Sequence, residues 1–324
     1  MKAMLPLLPS LRRALGIVML VAFMAASASA LDKVNFIIGT NPGGGYDQTA
    51  RALGQAMLDA GVAKSVSYDN KAGAGGTIAL AHFVSNNRSD GNALIVTGAV
   101  MIGAILQNKP PVSLAQAAPI ARLFHEYNVF VVPANSPLKS MKDLVELLKK
   151  DPVAVKWGGG SKGSVDHVSV AMIAREAGVD VAKANYVPFK GGGEATAAIL
   201  GGHVTVGTSG WGELQEFITS GKMRAIGITS PARLPGVNVP TLKEQGVNVV
   251  IANWRGVYAP PGITPAQRTA LTAAVTAATK TKSWTDLLEK NHWSSALLTG
   301  GEFDKFVDDE HAQTRDVMGK LGMI

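Results

Sequence analysis

The chain contains no cysteine. That excludes disulfides, cysteine-ligated zinc, iron–sulfur clusters, a thiol nucleophile and a cysteine-linked lipid anchor. Charged residues make up only 17% and aromatics 6%. There is no basic run and no aromatic-interleaved basic stripe, so nucleic acid is not an expected partner. No segment after the N-terminus reaches 18 consecutive apolar residues, which excludes a spanning helix there. The six histidines show no metal-ligand spacing, and His125-Glu126 fails to continue as H-E-x-x-H because position 129 is Val. No metal and no cofactor are expected.

What is present is apolar material, 47% of 324 residues, enough for about two domains with buried cores. The first thirty residues read as an address. Lys2, Arg12 and Arg13 precede an apolar run from Ala14 to Ala26, and Ala28-Ser29-Ala30 is a small-x-small cleavage site. The expectation is a secretory signal peptide cut after Ala30, and hence export to the periplasm. Removing it takes three cations and no acid, lowering the net charge from +7 to about +4.

The remainder alternates strand and helix. Val34–Thr40, Ser65–Tyr68, Ala93–Thr97, Asn128–Val132, Val153–Trp157, Asn185–Phe189, Val204–Gly207, Met223–Thr229 and Asn248–Tyr258 read as strands. Between them lie helical patterns, such as the face formed by Ala50, Leu53, Met57 and Ala60. Ser140 with Asp143, and Thr264-Pro265-Ala266-Gln267, are capping signals. Such alternation predicts an α/β fold with mostly parallel sheets flanked by helices.

Four glycine turns join a strand directly to a helix: Gly43–Gly45, Gly73–Gly76, Gly158–Gly160 and Gly191–Gly193. Turns of this kind lie at the carboxyl ends of parallel strands, where ligands bind. Glycine admits a ligand close to the backbone, and the next helix presents unpaired N–H groups and about half a positive charge. A carboxylate or phosphate suits that environment. Neither the Gly43 nor the Gly158 turn ends in the Lys-Ser/Thr of a P-loop, and Gly43–Gly45 lacks dinucleotide spacing. Gly159-Gly160-Ser161-Lys162-Gly163 matches G-x-S-x-G, with His203, His292 and His311 downstream, so a secreted serine hydrolase using Ser161 is the enzymatic alternative.

Pro42-Gly43-Gly44-Gly45-Tyr46-Asp47 with Ala50–Leu53, and Asn70-Lys71-Ala72-Gly73-Ala74-Gly75-Gly76, resemble segments of tripartite tricarboxylate transporter substrate-binding proteins, the TctC or Bug family. Gly158–His167, Pro188–Gly192, Leu200–Gly202, Gly221–Ala225, Pro240-Thr241 and Ala259–Gly262 follow in the family's order, so the resemblance spans nearly all of residues 33–320. It implies a two-domain periplasmic binding protein of Venus-flytrap form. Residues 31–132 plus 255–324 would make domain 1 and 133–254 domain 2, each a mostly parallel sheet flanked by helices. It also implies a monomer that captures a carboxylate metabolite, such as citrate or a dicarboxylate, and delivers it to permease subunits in the membrane. A ligand-sensing partner of a two-component receptor would use the same clamshell. No catalysis is implied.

The expected ligand site joins Gly44, Gly45, Tyr46 and Asp47 to Gly160, Ser161, Lys162, Gly163 and Ser164. Thr97 and Gly98 at a strand end, His167 in a first helical turn, and Thr208 and Ser209 complete the candidates. Lys162 and Arg255, within Asn253-Trp254-Arg255-Gly256, depart from the commoner family pattern and lean toward a polyanion, an Arg fork suiting a second carboxylate. Asp47 either caps its helix or orients a water, ammonium or hydroxyl at the site.

Overall fold

A computed structural model describes residues 31–324. The signal-peptide expectation lies outside the described residues. β1 (Val34–Ile38), β2 (Val66–Asn70) and β3 (Ala93–Gly98) pair in parallel, with α1 (Gly45–Asp59), α2 (Thr77–Asn86) and α3 (Ala99–Asn108) following them in turn. β4 (Ala118–Pro133) is sixteen residues long. After it come α4 (Met141–Lys150), β5 (Trp157–Gly159), α5 (Val165–Glu176), β6 (Tyr186–Pro188) and α6 (Gly192–Leu200). β7 (Val206–Gly210), α7 (Trp211–Thr219), β8 (Met223–Ile228) and β9 (Ala252–Ala259) lead to α8 (Pro265–Ala278), α9 (Lys282–Asn291), β10 (Ser294–Thr299) and α10 (Gly300–Lys320).

The sheet order is β2-β1-β3-β9-β4-β7-β5-β6, with β10 and β8 also paired to β4. The α/β class is as expected, but the sheet is mixed. β9 runs antiparallel to both β3 and β4, and β4 runs antiparallel to β7, β8 and β10. β4 changes partners along its length. Ala118–Tyr127 pairs with β9, and Asn128–Val131 pairs with β7. The strand therefore divides the sheet into a first half (β1, β2, β3, β9, β10) and a second half (β5 to β8).

Each half has its own apolar interior. Phe36, Leu53, Phe124, Tyr258, Trp284 and Phe303 belong to one large core under the first half. In the second half, Phe130 and Val132 face one core with Trp157 and Leu144, whereas Val129 and Val131 face another with Ile199 and Leu214. This period-two sorting is what a strand buried on both faces requires. Thr229, fully buried, ties the two segments that run between the halves. Its hydroxyl accepts from the Asn128 N–H at 3.0 Å and donates to the Ile251 carbonyl at 2.8 Å.

Local chemistry explains most element ends. Ser140 and Thr264 form the expected capping boxes, and Pro265 opens α8. The strand expected at Val153–Trp157 instead begins at Trp157 and runs into the glycines. Those glycines pair as strand residues, and glycine is needed there because neighbours crowd them: a Cβ on Gly159 would stand 2.6 Å from the Tyr186 hydroxyl. Only the second part of β4 was expected; Arg122, His125 and Glu126 interrupt the hydrophobic pattern of its first ten residues.

Candidate functional site

α1, α5, α6 and α7 all begin around one cavity between the two halves of the sheet. Gly45 and Tyr46 reach it from the first half; Gly160, Ser161 and Ser164, then Gly191 and Gly192, then Ser209 and Gly210 reach it from the second. The cavity holds about 60 Å³, room for a few waters. Its walls touch. A Cβ on Gly75 would stand 2.8 Å from the Ser161 hydroxyl, and Gly103 packs directly on Gly163. At the rim the Asn41 side-chain amide donates to Glu194 Oε1 at 3.0 Å. The turn at 43–47 and the turn at 158–164 therefore face one another.

Arg255, on β9, is 4% exposed and forms part of the cavity wall. Its Nη2 and Nε donate to Glu126 Oε1 at 2.8 and 3.2 Å. The other Glu126 oxygen accepts from Trp293 Nε1 at 3.1 Å, and the Asn253 amide nitrogen approaches Oε1 at 3.4 Å. A buried arginine is tolerable in this form because its charge is paired and hydrogen-bonded. The guanidinium also lies 5.0 Å from the centre of the Tyr46 ring. Gly45 must lack a side chain, since a Cβ there would strike the guanidinium.

Burial pushes the Tyr46 hydroxyl up to about 12, so it is a neutral donor. Burial likewise pushes Asp166 up to about 6, although the Gly160 N–H at 2.6 Å and the Asn128 amide both donate to it. Glu213, in the first turn of α7, is raised well above the carboxylate range, first by desolvation and then by the nearby Glu126 charge. Four buried polar atoms around the cavity have no hydrogen-bond partner: the hydroxyls of Thr40, Tyr46 and Ser161, and the Asn253 carbonyl oxygen. Buried polar groups are nearly always satisfied, so four on one cavity wall make it the candidate site for a polar molecule.

A larger groove of about 500 Å³ lies behind β9, lined by Trp254, Phe306, Arg122 and His125 among others. Among the described residues, no unpartnered buried side-chain atom lines it.

The cavity thus brings together Gly45, Tyr46, Gly160, Ser161, Ser164, Ser209 and Arg255. Other expected residues serve elsewhere. Gly44 is the α1 N-cap and donates to the Asn41 carbonyl. Asp47 accepts from the Gly43 N–H at 2.9 Å, Arg51 Nε at 2.8 Å and Asn70 Nδ2 at 3.1 Å, which holds its turn together. Thr97 bonds Met101 Sδ, and Gly98 allows β3 to approach the Trp254 carbonyl. Lys162 is exposed and outside the lining, so it does not present a cation to the cavity. Gly163 makes the contact with Gly103. His167 stacks on Tyr186 with ring centres 4.4 Å apart and accepts from the Gly163 N–H at 3.1 Å. Desolvation, then Lys162, lowers its pKa to about 4. Thr208 is buried in β7 behind the lining.

Polar residues not foreseen include Thr40, Asp166, Glu213 and Asn253 in the lining and Glu126 behind Arg255, while Lys190, expected to fix the glycine turn that follows it, also lines the cavity. Chemically the wall can bind and orient. Among the described residues no base is hydrogen-bonded to the Ser161 hydroxyl, so nothing there activates it as a nucleophile. Among the described residues no three or more His, Asp or Glu side chains are grouped to hold a metal ion, and no helix is long and apolar enough to cross a membrane.

The family model described as "Tripartite tricarboxylate transporter family receptor" matches residues 49–323. Protein BugT of Bordetella pertussis is 27% identical over 320 residues, covering 95% of this chain and 96% of its own. A solved structure described as a periplasmic transporter superposes with a TM-score of 0.82 at 26% identity, covering 90% of this chain and 98% of the other. The same fold recurs in Rhodopseudomonas palustris MatC with bound malate (TM-score 0.76, 24% identity, 88% and 98% covered) and in R. palustris Rpa4515 with adipate (0.81, 23%, 90% and 97%). The chain belongs to the tripartite tricarboxylate transporter receptor family, the TctC or Bug group of periplasmic solute-binding proteins, which are receptors and not enzymes.

Proposed function

We propose that the protein captures a small carboxylate-bearing metabolite in the cavity and presents the closed form to membrane subunits of a tripartite transporter. The observation that carries this reading is the cluster of four unpartnered polar atoms where four helices begin. A ligand carboxylate there receives the Tyr46 and Ser161 hydroxyls and backbone N–H groups of helix first turns. Hydrogen bonds to a charged group contribute about 1.5–3 kcal/mol each. Four or five of them, less the entropy of association, give about −8 kcal/mol, a micromolar Kd. The malate and adipate held by two proteins of the same fold agree with a ligand of this size.

In this reading the domains are those expected, 31–132 plus 255–324 and 133–254. They part by bending where β4 changes partners and where Thr229 joins the two connecting segments. A space of about 60 Å³ is too small for such an acid to enter, so the halves open to load and close on the ligand. Ligand contacts to both sides then favour the closed form. Export precedes this: cleavage after Ala30 leaves Leu31 as the first residue of the mature chain, which N-terminal sequencing of periplasmic protein checks.

The test is calorimetric titration with malate, succinate, adipate, glutamate and citrate. Micromolar binding of at least one is expected. The absence of heat with every carboxylate contradicts the proposal.

A further inference from the structure

The acids at the cavity outnumber its buried cation. Arg255 is already paired with Glu126. Asp166 and Glu213 make no ion pair within 4.0 Å among the described residues. Lys190 also lines the cavity but is exposed to solvent. The same wall carries the unpartnered Tyr46 hydroxyl and Asn253 carbonyl oxygen, on side chains 1% and 2% exposed, so these acids face the candidate ligand site. A carboxylate ligand brings a further negative charge into a space of about 60 Å³ that holds little water. Like charges that close disfavour one another's ionised forms. The wall must lose negative charge as the ligand enters, and a carboxyl does so by taking a proton.

Glu213 is placed to take it. A Cβ on Gly45 would stand 3.0 Å from one of its carboxylate oxygens and a Cβ on Gly192 would strike the other, so the carboxyl lies between the turns that open α1 and α6. Glu213 lines the cavity on one side and, on the other, a cleft of about 520 Å³ between α1, α7 and α9. That cleft gives a proton a way to Glu213 while the cavity is closed. Asp166 is 8% exposed and held by the Gly160 N–H and the Asn128 amide, whereas Glu213 keeps partial exposure. The cleft also presents Arg51, which is bonded to Asp47, and Glu216 and Lys290. Arg255 and a Ser209 hydrogen bond favour the ionised carboxyl, but burial, then the Glu126 charge, outweigh them and push it up to about 8.

We infer that the site binds a proton together with its carboxylate ligand, and that Glu213 takes up that proton. Ionised, Glu213 resists the ligand; protonated, it admits the ligand and offers it a hydroxyl donor. This rests on the carboxylate-binding reading above and adds its regulation. Affinity falls as pH rises, by about tenfold per pH unit once Glu213 is ionised in the free protein.

Calorimetric titration of the mature protein with malate, succinate and adipate at about pH 7 and about pH 9 tests this, each in two buffers of different ionisation heat. These acids are ionised throughout that range, so any proton taken up goes to the protein. For the tightest binder, wild type is expected to lose about tenfold in affinity between the two pH values and to take up more than about half a proton per ligand at the higher one. In Glu213→Gln, whose amide stands for the protonated carboxyl, the loss is expected to be below about threefold and the uptake below about a quarter of a proton. Ser209→Ala removes the hydrogen bond that favours ionised Glu213, so the fall in affinity is expected to move to higher pH; this variant decides if the first does not fold. Equal affinity at both pH values without proton uptake overturns the inference and leaves the carboxylate reading standing. A fall that the folded variants leave unchanged also overturns it, because another group then takes the proton. No binding of any of the three acids overturns it as well, and the carboxylate reading falls with it only if glutamate and citrate also give no heat.

Discussion

α1 and α7 each carry an acidic residue at the third helical position, Asp47 in one and Glu213 in the other. The dipole of the helix favours an anion equally at both. Their fates are opposite. Asp47 gathers three donors, one of them the Arg51 guanidinium, and these hold its carboxyl below the usual range despite its burial. Glu213 makes no ion pair within 4.0 Å among the described residues, and desolvation, then the Glu126 charge, raises it against the opposing pull of Arg255. A position in a helix therefore does not decide what an acid does. The first group completes a turn; the second stands in the cavity wall without an ion pair.

The strongest way to break this contrast is to remove the cation that keeps the Glu213 neighbourhood in balance. Arg255→Met leaves Glu126 buried and unpaired, and a loss of about 3–5 kcal/mol is expected in denaturant unfolding. A loss below about 1 kcal/mol would show that Glu126 does not need its partner.

Asp47→Ala comes next, with an expected loss of about 1.5–3 kcal/mol from bonds to a charged group. Its pH dependence identifies it. The Asp47 pKa is depressed in the folded state, so its contribution is complete above the unfolded value of about 3.9 and disappears as pH falls through the lower folded value. The difference between wild type and variant should therefore shrink toward acid, and a constant difference would contradict the assignment.

Gly45→Ala places a methyl against a guanidinium pinned by Glu126 and Tyr46. An overpacking cost of about 1–3 kcal/mol and weakened ligand binding are expected. Unchanged titration curves would show that the wall yields freely.

Glu213→Gln should move stability least, by about 0.5 kcal/mol or less near pH 5. Its sign is opposite to that of Asp47. A carboxyl raised in the folded state costs stability as pH climbs above its unfolded value of about 4.3. The variant should gain on wild type as pH rises toward 8. A variant that loses ground over that range would mean Glu213 is ionised and stabilising.

Much of this was readable in the letters. Glycine turns between strand and helix pointed to Gly45, Tyr46, Gly160 and Ser161, because the need for close backbone approach leaves a residue-level mark. The caps at Ser140 and Thr264 were readable for the same reason. Glu126, Asp166 and Glu213 were not. An acid in an otherwise apolar segment looks like a solvated side chain, and only the folded chain shows that Glu126 lies under Arg255. The lean toward a polyanion rested on Arg255, which Glu126 pairs, and on Lys162, which is exposed and outside the lining. The antiparallel crossing of β4 and β9 was hidden as well, since alternation of elements says nothing about strand direction once a connection passes between the two halves.

Where the ligand lies decides between the cavity and the groove, and a crystal structure with the tightest-binding compound of the titration panel shows this directly. Ordered ligand between Tyr46, Ser161 and Arg255, with both turns closed on it, is the expected result. Ligand in the groove beside Trp254 and Phe306, with the cavity at Tyr46 and Ser161 holding only water, would contradict it.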